Sequence, residues 1–286
     1  MIKPLKVAVI HSYHREQTSE RMHGAWSYPV PEFTWTREKV RDGYVIDRAD
    51  YKDYDFVLIE DAHALGTITG KGTPVVYWVG DSIMSEWHYK IRYTQAEGAD
   101  LILLTQDDIG RFAGTGKPVR HWMMCIDEHL FNNHYGEKST DVGFFYAATT
   151  ERLYYAWQLS AFCDRKGYKF QQGWRDGKDY AKSFARCRIN VNVAYNRANW
   201  SYRMFHVMAS GSCLLTTPAP ELDPEAIKCY TVFNSVAELT ELIDVYLTSG
   251  AWEEMAQMGY DLAQRKHTWS RRAAELRQIV NEEFGL

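Results

Sequence analysis

One stretch, residues 189–217, constrains the fold of this chain more than any other. It begins with valines that alternate with asparagines over residues 190–193, which is the two-residue period of a β-strand. An Asn-rich loop follows, and apolar residues then recur at helical spacing as far as Gly211, a residue that easily takes the left-handed conformation in which helices end. A second apolar strand starts at Leu214. The order of strand, helix and strand predicts a βαβ unit, and its crossover predicts a parallel sheet.

The helix predicted in this stretch carries a polar stripe. Its members stand at positions i, i+4, i+7 and i+11, which share one face of a helix: Asn199, Arg203, His206 and Ser210. The start of the helix adds free N–H groups and a positive dipole end, so a stripe with a cation and an imidazole suits an anion-binding cleft. The alternative is a solvated outer face that Asn199 caps, and the pattern supports the two interpretations about equally.

The composition sets wider limits on the class of protein. A length of 286 residues allows two modest domains or one large one. A net charge of −4 provides no overall field that would attract a polyanion. The five cysteines form no C-x-x-C pair, which indicates no metal or disulfide framework and predicts buried thiols in a reducing compartment. The sequence shows neither a signal-peptide core nor an apolar run of membrane-spanning length, so we expect a cytoplasmic protein.

Strands alternate with helices along the whole chain. Apolar segments at 6–11, 55–60, 74–79, 100–104 and 117–124 predict a first parallel sheet. The polar loop 125–139 follows, and the same alternation restarts at Asp141. The sequence therefore predicts an α/β fold with two Rossmann-like domains, residues 1–130 and 131–268, whose parallel sheets face one another across a cleft.

Ligands of open parallel sheets bind beyond the carboxyl ends of the strands, and this rule selects candidate site residues. In the first half it selects four groups that could accept a proton from a hydroxyl: His11, Asp61, His63 and Asp81. In the second half it selects a set rich in Arg, Asn and Thr that could hold an anion: Tyr146, Thr149, Arg152, Asn199, Arg203, Thr216 and Thr217. It also selects a carboxylate, Glu221. The alternatives are a helix cap for Asp81 and a solvent-facing loop acid for Glu221.

Two motifs of related chemistry are missing from the sequence. It contains no Asp-x-Asp motif, which disfavours a metal-dependent sugar transfer, and we therefore expect no metal site. It also contains no Gly-rich Walker loop, which disfavours phosphoryl transfer from ATP.

Several motifs in one order resemble a known family. The run Arg203-x-Phe205-x-x-x-Ala209-x-Gly211-x-x-Leu214-Leu215-Thr216 resembles the nucleotide-binding segment of CgeB-like (spore-maturation type) glycosyltransferases, which are GT-B enzymes related to the group 1 glycosyltransferases. The run Asp141-Val-Gly-Phe-Phe-Tyr with Arg152, and the stretches 180–192, 233–239 and 259–269, resemble other segments of that family. The resemblance covers about residues 125–272.

The resemblance implies a metal-independent transferase, of the hexosyl or pentosyl class, that uses a UDP- or GDP-sugar as donor and has no covalently bound cofactor. Arg203, supported by Arg152, would then meet the charge of the diphosphate leaving group. The resemblance further implies donor contacts from Tyr146, Thr149, Ser210, Gly211, Thr216, Thr217 and Glu221, and a base at Asp81 with His11, Asp61 and His63 as further candidates. It also implies that the last helix, 269–286, crosses back to the first domain.

One residue departs from the family pattern. His206 stands where the family usually has a Glu that grips the ribose hydroxyls. A neutral imidazole can also accept a hydrogen bond, but it has one acceptor nitrogen and no full charge. The expected role of His206 is therefore a ribose contact, with a phosphate contact as the alternative.

Three further alternatives remain open from the sequence. The protein could be a sugar-nucleotide or glycan-binding module without turnover, or a sugar-nucleotide epimerase on the same fold. The acceptor could be a glycan, a small molecule or a modified base in phage DNA. A DNA acceptor would require a basic strip, either around Arg37, Lys39 and Arg41 or around Lys90 and Arg92.

Overall fold

The computed structural model describes residues 3–12, 29–40, 44–60, 67–79, 86–105, 109–123, 125–134, 136–173, 177–194, 201–219 and 223–286. The chain divides into two compact units. The first consists of Met1–Met124 together with Trp269–Leu286, and the second of Cys125–Thr268. The boundary predicted at residue 130 therefore lies inside the second unit, and the last helix belongs with the first.

The first unit is an α/β structure built on a parallel sheet. Its elements, in chain order, are β1 (Leu5–Ser12), β2 (Phe33–Val40), β3 (Val45–Asp47), β4 (Phe56–Glu60), β5 (Thr67–Thr69), β6 (Val75–Val79), α1 (Glu86–Gly98), β7 (Leu101–Leu104), α2 (Ile109–Phe112) and β8 (Val119–His121). Six strands form the main sheet in the order β2-β1-β4-β6-β7-β8, and β3 pairs with β5 in a small separate sheet. Strands β4, β6 and β7 are buried along their whole length, as is typical of parallel strands covered on both faces.

The second unit repeats this architecture. Its elements are β9 (Thr140–Phe144), α3 (Thr150–Lys166), β10 (Phe170–Gln172), α4 (Gly177–Arg186), β11 (Cys187–Asn192), α5 (Tyr202–Ala209), β12 (Cys213–Thr216), β13 (Tyr230–Val232), α6 (Val236–Ser249) and α7 (Trp252–Lys266). Its five strands run in the order β10-β9-β11-β12-β13, and their pairings are all parallel.

The chain closes with α8 (Trp269–Phe284), which packs within the first unit. The indole of Trp269 is fully buried and meets the ring of Trp35 edge-on, with 5.9 Å between the ring centroids. At the same end of the helix, Trp122 Nε1 donates a hydrogen bond of 3.1 Å to the carbonyl oxygen of Arg272.

Both main sheets contain a point at which the strand order reverses. In the first unit it lies between β1 and β4, and in the second between β9 and β11. Ligands of open α/β sheets bind at the carboxyl ends of the strands that flank such a point. The topology therefore picks out one small region in each unit.

The predicted βαβ unit of residues 189–217 is present, with three differences in detail. Helix α5 begins after Ser201, whose hydroxyl accepts from the N–H of Arg203, rather than after the predicted cap Asn199. Strand β11 is buried on both faces, because Asn190 and Asn192 find hydrogen-bond partners inside the unit. The solvated-face interpretation of α5 is wrong, since every side chain from 203 to 209 is buried. The helix ends as predicted, with Gly211 at a φ of 62°.

Two other sequence expectations concern the burial of the cysteines and the presence of membrane-spanning helices. The five cysteines are all buried, as predicted. Within the described part of the chain, no helix combines the length and the apolar character that crossing a membrane requires.

Candidate functional site

The reversal point of the second unit is tied together by Arg152. Its backbone N–H donates a hydrogen bond to the hydroxyl of Thr149, the residue that caps α3. Its guanidinium donates from Nε to Val193 O at 2.9 Å and from Nη1 to Ala147 O at 3.3 Å. These carbonyls follow β11 and β9, so Arg152 joins the carboxyl ends of the two strands that flank the reversal point.

Arg203 lies in the first turn of α5, and its side chain is 9% exposed. Its Nη1 donates a hydrogen bond of 3.0 Å to Asn192 Oδ1 at the end of β11. Its buried Nε has no hydrogen-bond partner among the described residues. The guanidinium thus contacts two neutral groups, the amide of Asn192 and the phenol of Tyr180, and its positive charge has little exposure to solvent. A buried cation of this kind gains from binding an anion, because the anion offsets the loss of hydration.

Tyr180 connects the two arginines electrostatically. Burial raises the pKa of its phenol, and the positive charge of Arg203, a side-chain hydrogen bond with Arg203 and the positive charge of Arg152 oppose that rise. Tyr180 and Asn192 were not selected from the sequence as site residues. The signal for Asn192 was present, since an Asn on a strand of a sheet covered on both faces must find a buried partner.

The two threonines at the end of β12 are buried and engaged with β11. Thr216 Oγ1 accepts from Asn192 Nδ2 at 2.9 Å and donates to Thr217 O at 3.0 Å. Thr217 Oγ1 accepts from the N–H of Ala194 at 3.0 Å. In this arrangement the hydroxyls support the strand ends, and Thr216 positions the amide that holds Arg203.

His206 lies one turn beyond Arg203 and has no exposed surface. Its ring lies flat on the ring of Phe131, with 4.0 Å between centroids and an angle of 4° between planes. Tyr180 meets the same imidazole edge-on at 5.8 Å. His206 can therefore reach a nucleotide only after Phe131 or another neighbour moves, and the predicted ribose contact stays a prediction.

The remaining candidates of the second unit fall into two groups. Ser210 is buried, and its hydroxyl donates to the carbonyl of His206 at 2.8 Å, so it closes the end of α5 next to Gly211. The phenol of Tyr146 donates to Gln172 Oε1 at 3.3 Å, and burial raises its pKa. Asn199 and Glu221 lie outside the described residues.

In the first unit the structure describes little of the predicted acceptor site. The backbone of His11 pairs with Lys39 and with Glu60 near the end of β1, whereas Asp61, His63 and Asp81 lie outside the described residues. The carboxylate of Glu60 is 5% exposed and ends β4 at the reversal point of this sheet. Glu60 was not selected from the sequence as a site residue.

Two expectations about charge can be compared with the described residues. Arg92 is 1% exposed, so it cannot form a surface strip with Lys90, and that version of the predicted DNA-binding strip is wrong. In the described ranges no group of three or more His, Cys, Asp or Glu side chains is arranged to hold a metal ion.

Residues 143–278 match the sequence model of a family described as "Glycosyl transferase-like". Solved structures of similar fold include a glycosyltransferase from Rickettsia africae, at 6% identity, 99% coverage of each chain and a TM-score of 0.65. They also include the Anabaena protein HepE in complex with UDP, at 11% identity, 97% coverage of this chain, 100% of the other and a TM-score of 0.62. A third is sucrose-phosphate synthase from Thermosynechococcus elongatus, at 10% identity, 98% and 99% coverage and a TM-score of 0.60.

This chain has the GT-B fold. The family match covers most of the unit that carries Arg203 and continues into α8, and it supports sugar transfer in general terms. The structural similarity spans nearly the whole chain, so both units of the GT-B fold are represented. No curated protein sequence matches the chain.

Proposed function

We propose that the protein is a glycosyltransferase of the CgeB-like type that moves a sugar from a UDP- or GDP-sugar to a hydroxyl acceptor without a metal ion. The second unit binds the donor, and the diphosphate lies at the carboxyl ends of β9 and β11. The observation that carries the proposal is the buried guanidinium of Arg203, whose Nη1 meets a neutral amide and whose Nε has no hydrogen-bond partner among the described residues. In a GT-B fold, this is the group that an anionic leaving group would neutralise.

Sugar transfer leaves negative charge on the diphosphate as the glycosidic bond to the donor breaks. A fixed guanidinium stabilises that charge without reorganising, because the fold has already placed it there. Arg203 is placed by Asn192, and Arg152 stands at the adjacent strand ends. We propose that these two cations replace the divalent ion of metal-dependent transferases, so turnover should persist in the presence of a chelator.

The donor nucleoside is proposed to lie near α5. His206 contacts the ribose in this proposal, after displacement of Phe131, and Ser210 and Gly211 shape the end of the same helix. Thr216 and Thr217 lie at the sugar-proximal edge, with Glu221 toward the sugar. UDP-glucose is the first donor to test, since HepE is known in complex with UDP-glucose on the same fold.

The acceptor hydroxyl is proposed to be deprotonated by the first unit. Asp81 remains the first candidate for the base, with His11, Asp61 and His63 behind it. Glu60 is added to this set because its buried carboxylate stands at the reversal point of the first sheet. A base of this kind acts best when its pKa lies near the working pH.

A second candidate function is a sugar-nucleotide-binding module without turnover. The observation that favours it is the stacking of His206 on Phe131, at the position where the resembling family has a ribose-binding Glu. Both functions predict nucleotide binding, and they differ in whether the sugar is released or transferred.

The experiment that tests the proposal combines calorimetry with a turnover assay. UDP, GDP and their glucose derivatives are titrated into the protein, and the release of free nucleotide is then followed with a panel of glycan, small-molecule and duplex DNA acceptors, with and without EDTA. Donor binding with acceptor-dependent release that survives EDTA supports the transferase. Binding without release on any acceptor favours the module, and the absence of any nucleotide binding contradicts both.

A further inference from the structure

A buried histidine and a buried carboxylate form a pair at the end of the second unit. His267 is the penultimate residue of that unit, and its side chain is 1% exposed. Its Nε2 lies 3.1 Å from Asp223 Oδ2, and the Asp223 side chain is 9% exposed. Such a polar pair costs free energy to bury unless the geometry of the contact is well defined. Its presence in the interior therefore calls for a structural or functional reason.

The ring of His267 also contacts helix α5. It stacks on Phe205, with 4.1 Å between the ring centroids and 29° between their planes. Phe205 is 1% exposed and lies between Arg203 and His206, the two residues of α5 that the proposed function places at the nucleotide. One face of the imidazole thus fixes α5, while its edge fixes Asp223.

Asp223 follows β12 in the chain, which ends at Thr216. Residues 217–223 run from the end of β12 to Asp223, and Glu221 is among them. Asp223 Oδ1 also accepts a hydrogen bond of 2.9 Å from the backbone N–H of Glu225, which holds the carboxylate in one orientation. The pair therefore connects the segment after β12 to the helix that carries Arg203.

The surrounding charges lie on the exposed side of this pair. Lys266 Nζ is 3.7 Å from Asp223 Oδ1 and also pairs with Glu225, which in turn accepts a hydrogen bond of 2.7 Å from Arg265. The Cys229 thiol, from the neighbouring turn, has a pKa that burial raises and that Asp223 and Glu225 raise further. On the side of α5, Arg203 and His206 flank the stacked Phe205.

We propose that His267 and Asp223 are a positioning pair for donor binding. By joining Phe205 to Asp223, the pair holds α5, and with it Arg203, in the position that donor binding requires. This inference rests on the proposed function, because it assumes that Arg203 meets the nucleotide. Neither residue touches the donor in this proposal, so their effect on binding is exerted through α5.

The test separates the stack from the polar contact. His267→Phe retains an aromatic ring for Phe205 and removes the nitrogen, whereas His267→Gln retains a donor for Asp223 and removes the ring. Asp223→Asn preserves shape and removes the charge. UDP-glucose affinity is measured by calorimetry for each variant, together with the double variant His267→Gln/Asp223→Asn, in which two amides can restore a hydrogen bond.

Each single variant should weaken UDP-glucose binding on the order of tenfold, and the double variant should recover part of that loss because the two sites are coupled. The control is Ile243→Val, a buried change on α6 that lowers thermal stability and leaves the pair intact. The pH dependence of affinity should also change in Asp223→Asn and His267→Phe, because the imidazole loses its partner or is absent, and remain that of the wild type in Ile243→Val.

The possible results have distinct meanings. If wild type binds UDP-glucose and the three single variants bind as tightly as Ile243→Val, the pair only fills the core and the inference is wrong. If the double variant loses as much affinity as the product of the single losses, the two residues act independently and the pair is refuted. If wild type binds neither UDP nor UDP-glucose, the proposed function fails and takes the inference with it.

Discussion

Replacing Asn192 by Asp would change the charge around Arg203 with almost no change in shape. The new carboxylate oxygen would take the place of Oδ1, which lies 3.0 Å from Arg203 Nη1. The donor contact from Nδ2 to Thr216 would be lost, and the Thr216 hydroxyl could donate to the new carboxylate only by giving up its hydrogen bond to the carbonyl oxygen of Thr217. The guanidinium would then be neutralised from within the protein.

The expected result is weak nucleotide binding by a folded protein. A hydrogen bond to a charged group contributes about 1.5–3 kcal/mol, and a diphosphate would lose this from Arg203 once the carboxylate occupies it. Repulsion between the carboxylate and the phosphates adds to the loss, so UDP affinity should fall by at least about thirtyfold, which corresponds to about 2 kcal/mol. The free energy of unfolding should change by only about 1 kcal/mol, because the attraction within a buried ion pair is largely offset by desolvation.

Calorimetric titration of UDP, with chemical denaturation of the same samples, provides the two quantities. Asn192→Ala is the matched control, since it removes the amide and introduces no charge. It should lower the free energy of unfolding by roughly 1–3 kcal/mol, through the loss of buried hydrogen bonds, and weaken UDP binding less than Asn192→Asp does. Wild-type UDP affinity in Asn192→Asp would refute the reasoning, because the phosphates then do not meet Arg203.

Three further predictions concern other described residues. A ribose contact requires the neutral imidazole, so nucleotide affinity of the wild type should fall as the pH drops from about 8.5 to about 5.5. His206→Glu should keep or improve nucleotide affinity and remove that fall. Loss of binding in this variant, with wild type binding best in acid, would favour the phosphate contact. Gly143→Ala should lower the free energy of unfolding, measured by urea denaturation, by roughly 1–3 kcal/mol. The added Cβ would lie 2.6 Å from Cys187 Sγ and 2.9 Å from the ring of Phe145. A change near zero would contradict this packing. Burial lowers the pKa of Lys138 from 10.5 to about 8, so between these values the folded state binds fewer protons than the unfolded state. The contribution of Lys138 to the free energy of unfolding should therefore rise with pH in this range. Lys138→Met should remove that rise, and an unchanged pH profile of the unfolding free energy in this variant would contradict the prediction.

Sequence reasoning predicted the parts of the fold that depend on local pattern. The βαβ stretch of residues 189–217 and the restart of the alternation at Asp141 follow from periodicity, and the structure contains both. The small sheet of β3 and β5 was not predicted as a pair. Its strands have three residues each, which is too short for a clear period.

The candidate site was harder to predict because its chemistry depends on burial. The sequence placed Arg203 and His206 on one helix face, yet the two side chains have different surroundings. Arg203 meets an amide at a strand end, whereas His206 lies under Phe131, which is far away in sequence. Asn192 and Glu60 were overlooked for the same reason, since a polar residue on a strand becomes informative only when both faces of the sheet are known to be covered.

The central claim is that Arg203 binds the diphosphate of a sugar nucleotide, and calorimetric titration of UDP into wild type and Arg203→Ala tests it most directly. Arg188→Gln is the control, because it removes an arginine from the other end of β11, where the guanidinium pairs with Asp141 at 2.8 Å. Arg203→Ala should weaken UDP binding by about 1.5–3 kcal/mol while Arg188→Gln binds like wild type. Equal UDP affinity in wild type and a folded Arg203→Ala would contradict the account.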